Sequence, residues 1–321
     1  MNKQKHLLYK EYFEWVDLYK KGSVRRTTYE RYVSIGKYLK REYPLLCIED
    51  MTRTKFQKMV NKYGDKYTFE TTKAFREHIS PVLRQAYYDG LVKRDPTYRV
   101  LTASTVKAPK TNKYLEEIET KKLVKVLKKH DDFYAKIIDF TLRTGLRLAE
   151  VFGLTPKDIN FKNHLIDINK TLDYKYATGF VPTKNESSKR IITVDKGAEK
   201  DLWTIMFGIK QDESIFLEAM KQYYVEKLNK PFIKLTAIDE AINRRLKQYC
   251  KEAGIPVISF HKLRHTHASM LIAKGISVQS VAARLGHADT NTTTKYYIHL
   301  LQSTREKENT EVREILSGMG G

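Results

Sequence analysis

The chain is short of several things, and each shortage removes a class of protein. Among its 321 residues only two are cysteines, Cys47 and Cys250, far apart and without metal-type spacing. That excludes a disulfide scaffold, suits a reducing cytoplasm, and leaves both as small buried hydrophobes. No apolar run approaches the ~20 residues a membrane span needs, and the polar opening MNKQK starts no signal peptide. Acidic residues are scarce: 38 Asp and Glu stand against 59 Lys and Arg, a formal charge of +21. Such an excess points to a polyanionic partner, most often nucleic acid. A membrane surface is the competing target, but the amphipathic anchor pattern it requires is missing. There is also no P-loop, no HExxH, no acidic metal cluster, no internal repeat and no low-complexity tract. Neither a cofactor nor a resident metal is therefore expected.

What is there suffices for two folded domains, with 41% hydrophobic residues over this length. The first hundred residues read as helices with Lys and Arg between the apolar stripes. Thr27 to Glu30 has the form of a capping box, ahead of a helix with Tyr32, Ile35, Leu39 and Tyr43 on one side and Pro44 as its stop. A shorter helix carries Phe56, Met59, Val60 and Tyr63, and Gly64 fits a C-terminal cap. A longer one runs from Phe75 to Gly90, where Pro81 should kink or split it. From Ala103 to Lys113 periodicity is lost in a small, polar, basic stretch. The expected division is a helical domain over 1–103, a linker over 104–113, and a second domain over 114–321.

In the second domain a helix through Phe133, Ile137, Phe140 and Leu142 should end near Gly145, and Thr155-Pro156 is a helix-start pair. HLIDIN (164–169) and the run from Arg190, RIITVD, alternate like strands, with PTKNESSK as the turn between them. Helices resume from about Thr236. The expected class is mainly α with a small antiparallel β-sheet.

Four islands in this domain carry chemistry. TGLRLAE places Arg147 and Glu150 three apart at a helix start. The arginine can offer its planar fork to a phosphate while the carboxylate orients it, or the two form an ordinary surface ion pair. PTKNESSK presents Lys184, one lysine among many, at a hairpin. HKLRHTHASM sets His261 and Arg264 on one helical face. His265 and His267 diverge at a spacing of two, so a metal pair is disfavoured and a buried, hydrogen-bonded His265 is expected. In the fourth island Ser277 caps a helix carrying Val278, Val281 and Leu285, and Gly286 ends it. His287 follows, then TTTKYYIHLL (292–301), where Tyr296 and Tyr297 are both possible nucleophiles. Two arginines, a lysine, two histidines and a late tyrosine form a coherent set for phosphoryl transfer. Fixed cations stabilise the charge that develops on a phosphate under attack. A covalent phosphotyrosine keeps the energy of the broken bond, so rejoining needs no ATP.

The ordered set TGLRLAE, PTKNESSKR, HKLRHTHAS, LGH and YIH resembles the tyrosine recombinase (phage integrase) family over nearly the whole chain. The resemblance implies a SAM-like helical core-binding domain followed by a catalytic domain. It further implies Arg147, Lys184, His261, Arg264 and His287 as catalytic residues, with Glu150 and His265 supporting. Lys184 would protonate the departing 5′ oxygen. The family's Y-x-H ending fits Tyr297-Ile298-His299, making Tyr297 the nucleophile that forms a 3′-phosphotyrosine. Double-stranded DNA at att or crossover sites, a tetramer on that DNA, and accessory bending or excision factors are the implied partners. A tail around Val312, Ile315 and Leu316 would pack on a neighbour or on its own domain. The expected function is integration and excision of a mobile element. The alternatives are Xer-like dimer resolution, type IB topoisomerase-like relaxation, or an idle DNA-binding regulator. The chain starts almost directly with the core-binding helices, so an N-terminal arm-binding domain is either absent or removed.

Overall fold

Leu8, Tyr12 and Val16 recur every four residues and form the buried stripe of the first helix, α1 (Leu8–Tyr19). The computed structural model describes residues 6–108, 114–183, 185–232, 234–289 and 294. The chain divides into two compact units, Met1–Lys110 and Thr111–Gly321.

In the first unit α1 is followed by α2 (Arg26–Glu42), α3 (Arg53–Gly64) and α4 (Phe69–Tyr88). Its core is rich in rings: Tyr12, Phe56 and Phe75 are fully buried, and Tyr63 stacks on Phe75 with centroids 3.9 Å apart. Three local expectations are corrected here. The second helix begins at Arg26, so Thr27 is inside it, its cap position is Arg25, and Glu30 accepts instead from Arg26 Nε at 3.3 Å. Gly64 is the last residue of α3, not a left-handed cap. A Cβ there would lie 2.0 Å from the Ala103 carbonyl oxygen, so close backbone approach explains the glycine. Pro81 does not split α4, which runs unbroken for 20 residues. Burial of Phe75, Ile79, Val82, Leu83 and Ala86 along its stripe outweighs one missing N–H donor.

The second unit contains α5 (Glu117–Leu127), α6 (Phe133–Thr144) and the short α7 (Leu148–Gly153). Gly145, at φ 70°, closes α6 in the left-handed region. Strands β1 (Ile159–Asn160) and β2 (Leu165–Ile168) form a hairpin, followed by a second hairpin of β3 (Lys170–Asp173) and β4 (Gly179–Pro182), and then β5 (Arg190–Thr193). Strand β2 pairs antiparallel with β5, Ile166 opposite Ile192 and Ile168 opposite Arg190. The expected β2–β5 pairing is therefore present, but PTKNESSK is not the turn that joins them. It connects β4 to β5, and the β3–β4 hairpin is inserted as a separate two-stranded sheet. That hairpin has one buried residue, Leu172, in eight positions, so it carries no alternation to read. His164, at φ 57°, belongs to the turn before β2 and not to the strand.

Helices α8 (Lys196–Ile205) and α9 (Ile215–Gln222) precede α10 (Ile238–Glu252), α11 (Phe260–Ala273) and α12 (Val278–Leu285). The main core gathers Phe140, Phe152, Phe216, Leu246 and Leu263 with the inner residues of the three-stranded sheet. A smaller cluster of Ala268, Ile272, Val281 and Leu285 joins α11 to α12. Ser277 caps α12 by accepting from the Ser280 N–H at 3.1 Å. No described helix is long and apolar enough to cross a membrane.

Candidate active site

Arg147 holds extended backbone (φ −73°, ψ 152°) just before α7, which places Glu150 at the third helical position. From there the carboxylate accepts the Arg147 backbone N–H at 2.9 Å and its Nη1 at 2.7 Å. This is no surface ion pair, because Glu150 is 1% exposed. Arg190 reaches the same carboxylate with both terminal nitrogens, at 3.2 and 3.0 Å. Arg264 Nη1 lies 3.7 Å from it. Burial pushes the Glu150 pKa up, but the Arg190 hydrogen bonds and the charges of Arg190, Arg264 and Arg147 outweigh that and hold it below the usual range. One buried carboxylate thus gathers three guanidinium groups, a local charge of +2.

The opposite side of two of these arginines is held by α12. Its last carbonyls lack partners within the helix and form the negative end of its dipole. Arg190 Nε donates to Arg284 O at 2.5 Å, and Arg264 Nη2 donates to Leu285 O. Arg264 Nη1 donates to Gly145 O at 2.9 Å, which ties α11 to the turn before Arg147. Gly286 then leaves the helix at φ 67°, where a Cβ would come within 3.1 Å of Arg190 Nη1 and Ser187 O. His287 follows directly, its N–H donating to Ala282 O at 3.0 Å.

Three histidines border this cluster. His261 and His265 are one turn apart on α11, ring centroids 5.2 Å apart and edge to face. Crowding by protein atoms and the charges of Arg264 and Arg147 lower the His261 pKa, although its side chain keeps solvent access. Burial, then His261 and nearby cations, brings His265 down to about 4. Burial, then Arg264, Arg147 and Arg190, brings His287 to about 4 as well. At neutral pH the His265 and His287 rings are uncharged, and the shift at His261 favours its neutral form. His267 points away and is structural: its Nδ1 lies 2.8 Å from Leu142 O, and its Nε2 accepts from Arg284 Nε at 3.0 Å. Those partners put the proton on Nδ1. Among the described residues no group of three His, Cys, Asp or Glu is arranged to hold a metal ion.

The fold therefore brings together Arg147, Glu150, His261, Arg264, His265 and His287. Lys184, Tyr296, Tyr297 and the tail with Val312, Ile315 and Leu316 lie outside the described residues. A model of the Phage integrase family matches residues 113–304, more than half of the chain. The chain belongs to the phage integrase family. It is a tyrosine recombinase, an enzyme of site-specific DNA strand exchange of the mobile-element kind. Among its relatives, the integrase of Staphylococcus phage L54a is 26% identical over 90% of this chain and 87% of its own length. The transposase of transposon Tn916 from Enterococcus faecalis is also 26% identical, over 73% of this chain; the match spans 59% of that longer protein. A solved Tn1549 transposon integrase shares the fold, with a TM-score of 0.74 at 17% identity over 94% of this chain and 99% of that one.

One residue of this cluster was not legible as part of it in the sequence. Arg190 appeared only as the first residue of a strand. Its signal was parity: Arg190 shares the inner face of β5 with buried Ile192, while Ile191 between them is 65% exposed. A guanidinium on the core side of a strand needs a buried acceptor, and Glu150 is that acceptor.

Proposed function

We propose that the second unit cleaves and rejoins DNA through a 3′-phosphotyrosine, with Tyr297 as nucleophile. The observation that carries this reading is the buried Glu150 carboxylate with Arg147, Arg190 and Arg264 fixed around it and His261 and His287 beside them. A phosphodiester under attack gains charge on its non-bridging oxygens. Cations already held by other bonds stabilise that charge without reorganising. Arg147, with 36% of its side chain exposed, keeps solvent access through which it can offer donors to a phosphate, and Arg264 adds fixed charge behind it. His287, neutral, donates a hydrogen bond to the phosphate, and neutral His261 accepts the tyrosine proton. The P–O5′ bond breaks as the P–O(Tyr) bond forms, and Lys184 supplies the proton to the leaving 5′ oxygen. The number of phosphodiester bonds is unchanged, so the reverse step needs no nucleotide.

The first unit is the DNA-gripping partner in this reading. Exposed Arg26, Arg31, Lys37 and Lys40 on α2, with Lys58 and Lys62 on α3, offer phosphate contacts without buried ion pairs. The Tn1549 neighbour was solved with a circular intermediate DNA, which supports a duplex substrate. Exchange between two duplexes breaks four strands, one tyrosine each, and so calls for four chains on the DNA. The test is a suicide substrate nicked beside the cleavage site, built from DNA flanking the gene. Wild type and Tyr296→Phe should accumulate a covalent adduct, while Tyr297→Phe binds the DNA without forming one. Loss of the adduct in Tyr296→Phe alone would reverse the assignment, and no adduct with wild type on any flanking site would defeat the enzyme reading.

A further inference from the structure

The observations lead past the expected site residues to Arg190. We propose that Arg190 is a positioning residue for strand cleavage, a three-way tie joining β5, the Glu150 carboxylate and the C-terminal turn of α12. This rests on the function proposed above. Every nitrogen of the guanidinium is bonded: Nε donates to Arg284 O, Nη1 to Ser188 O at 2.9 Å and to Glu150 Oε1, and Nη2 to Glu150 Oε2. Ser188 belongs to the short connection that carries Lys184 from β4 to β5. Arg284 lies three residues before His287, with Gly286 folded tightly over the guanidinium. The same planar group therefore sets the end of the segment bearing Lys184, the orientation of the carboxylate that holds Arg147, and the exit of the chain toward His287. Its side chain is 7% exposed and four of its five N–H donors are engaged by protein oxygens, so it acts through these residues and not on the phosphate.

A lysine in its place would keep the charge but not the fork, because one ammonium has no rigid plane to match four acceptor oxygens. That separates positioning from simple electrostatics. The groups facing His287 are Arg264 and His265 on α11, Arg147 and Glu150 around the start of α7, and Arg190 on β5. Removing the Arg190 charge should raise the His287 pKa, whereas lysine should leave it nearly in place.

The experiment compares wild type, Arg190→Gln and Arg190→Lys in the full chain by adduct formation on the suicide substrate, DNA binding, and NMR of labelled histidine and backbone amides. Adduct formation should fall roughly 100-fold in Arg190→Gln and at least about tenfold in Arg190→Lys, as expected for a slightly misplaced reacting geometry, with DNA affinity within about threefold. The His287 pKa should rise in the glutamine variant only, and the Gly286 and His287 amide signals should shift in both. Wild-type adduct rates in Arg190→Lys would overturn the proposal, as would unmoved Gly286 and His287 signals. If Arg190→Gln does not fold, the lysine variant decides by the same measures. If wild type forms no adduct, the function reading fails, while the NMR of the free protein still decides whether Arg190 sets this geometry.

Discussion

The two units bury polar groups in opposite ways. In the first, the hydroxyls of Tyr12, Tyr38 and Tyr43 are buried with no hydrogen-bond partner among the described residues, while the charged side chains stay at the surface. In the second, the buried groups include ions: Glu150 and Arg264 are 1% and 3% exposed, and each is held by several bonds. An unpaired hydroxyl costs a little stability and is tolerated where ring packing dominates. An unpaired buried ion costs far more, so a fold keeps one only inside a closed set of partners. Burial and charge are separated in the first unit and combined in the second. Surface cations suit a partner attracted by screened, long-range charge. Cations locked against a carboxylate and a helix end suit a reaction in which charge appears at one fixed point.

The strongest way to break this contrast is Glu150→Ala. Arg190 and Arg264 would be left buried against each other, and urea denaturation should show a loss of about 3–5 kcal/mol together with loss of the covalent adduct. A change under about 1 kcal/mol would mean that the guanidinium groups find other acceptors or water.

A smaller effect should appear with acid. His265, His267 and His287 sit near pKa 4 in the folded chain, against an ordinary value of 6.5. Between those values the unfolded chain binds protons that the folded chain refuses, so stability falls as pH drops from about 6.5 toward 4. Each such histidine contributes a slope of at most about 1.4 kcal/mol per pH unit in that window. Replacing His267 by Gln should remove its share, read from urea midpoints at pH 7, 6 and 5. An unchanged slope would show that burial and the Arg284 contact do not depress the His267 pKa in the folded chain.

The smallest effect sharpens the comparison from the other side. Tyr12→Phe removes a buried hydroxyl that has no partner, and thermal unfolding should show unchanged or higher stability, by up to about 1 kcal/mol. A clear loss would reveal that a bound water or an alternative acceptor satisfies that oxygen.

Much of the site was readable because its markers are short and local. Gly145 and Gly286 close α6 and α12 at left-handed angles that other residues avoid, and Ser277 and the Thr155-Pro156 pair start their elements as expected. His261 and Arg264 share a face because three positions on a helix nearly complete a turn. The errors share a different cause. Thr27 was outcompeted as a cap when the helix began earlier, Gly64 answers to a carbonyl 39 positions away, and Pro81 is overruled by the stripe that α4 buries. The β3–β4 hairpin escaped notice because it has almost no buried face to impose a period of two.

By itself, the sequence determined that this protein is basic, mainly helical and built in two parts, and that it carries an ordered set of arginine, histidine and tyrosine motifs resembling those of the family. Composition, helical period and backbone sterics act over a few residues and can be read along a line. Only the tertiary structure decided that Glu150 is a buried hub, that His267 braces α12, and that Arg190 belongs with the site. Arg190 meets partners 40 and 94 positions away, and a guanidinium looks the same in sequence whether water or a buried carboxylate surrounds it. Its role is set by desolvation and by the geometry of oxygens brought together by folding, and neither is a property of neighbouring letters.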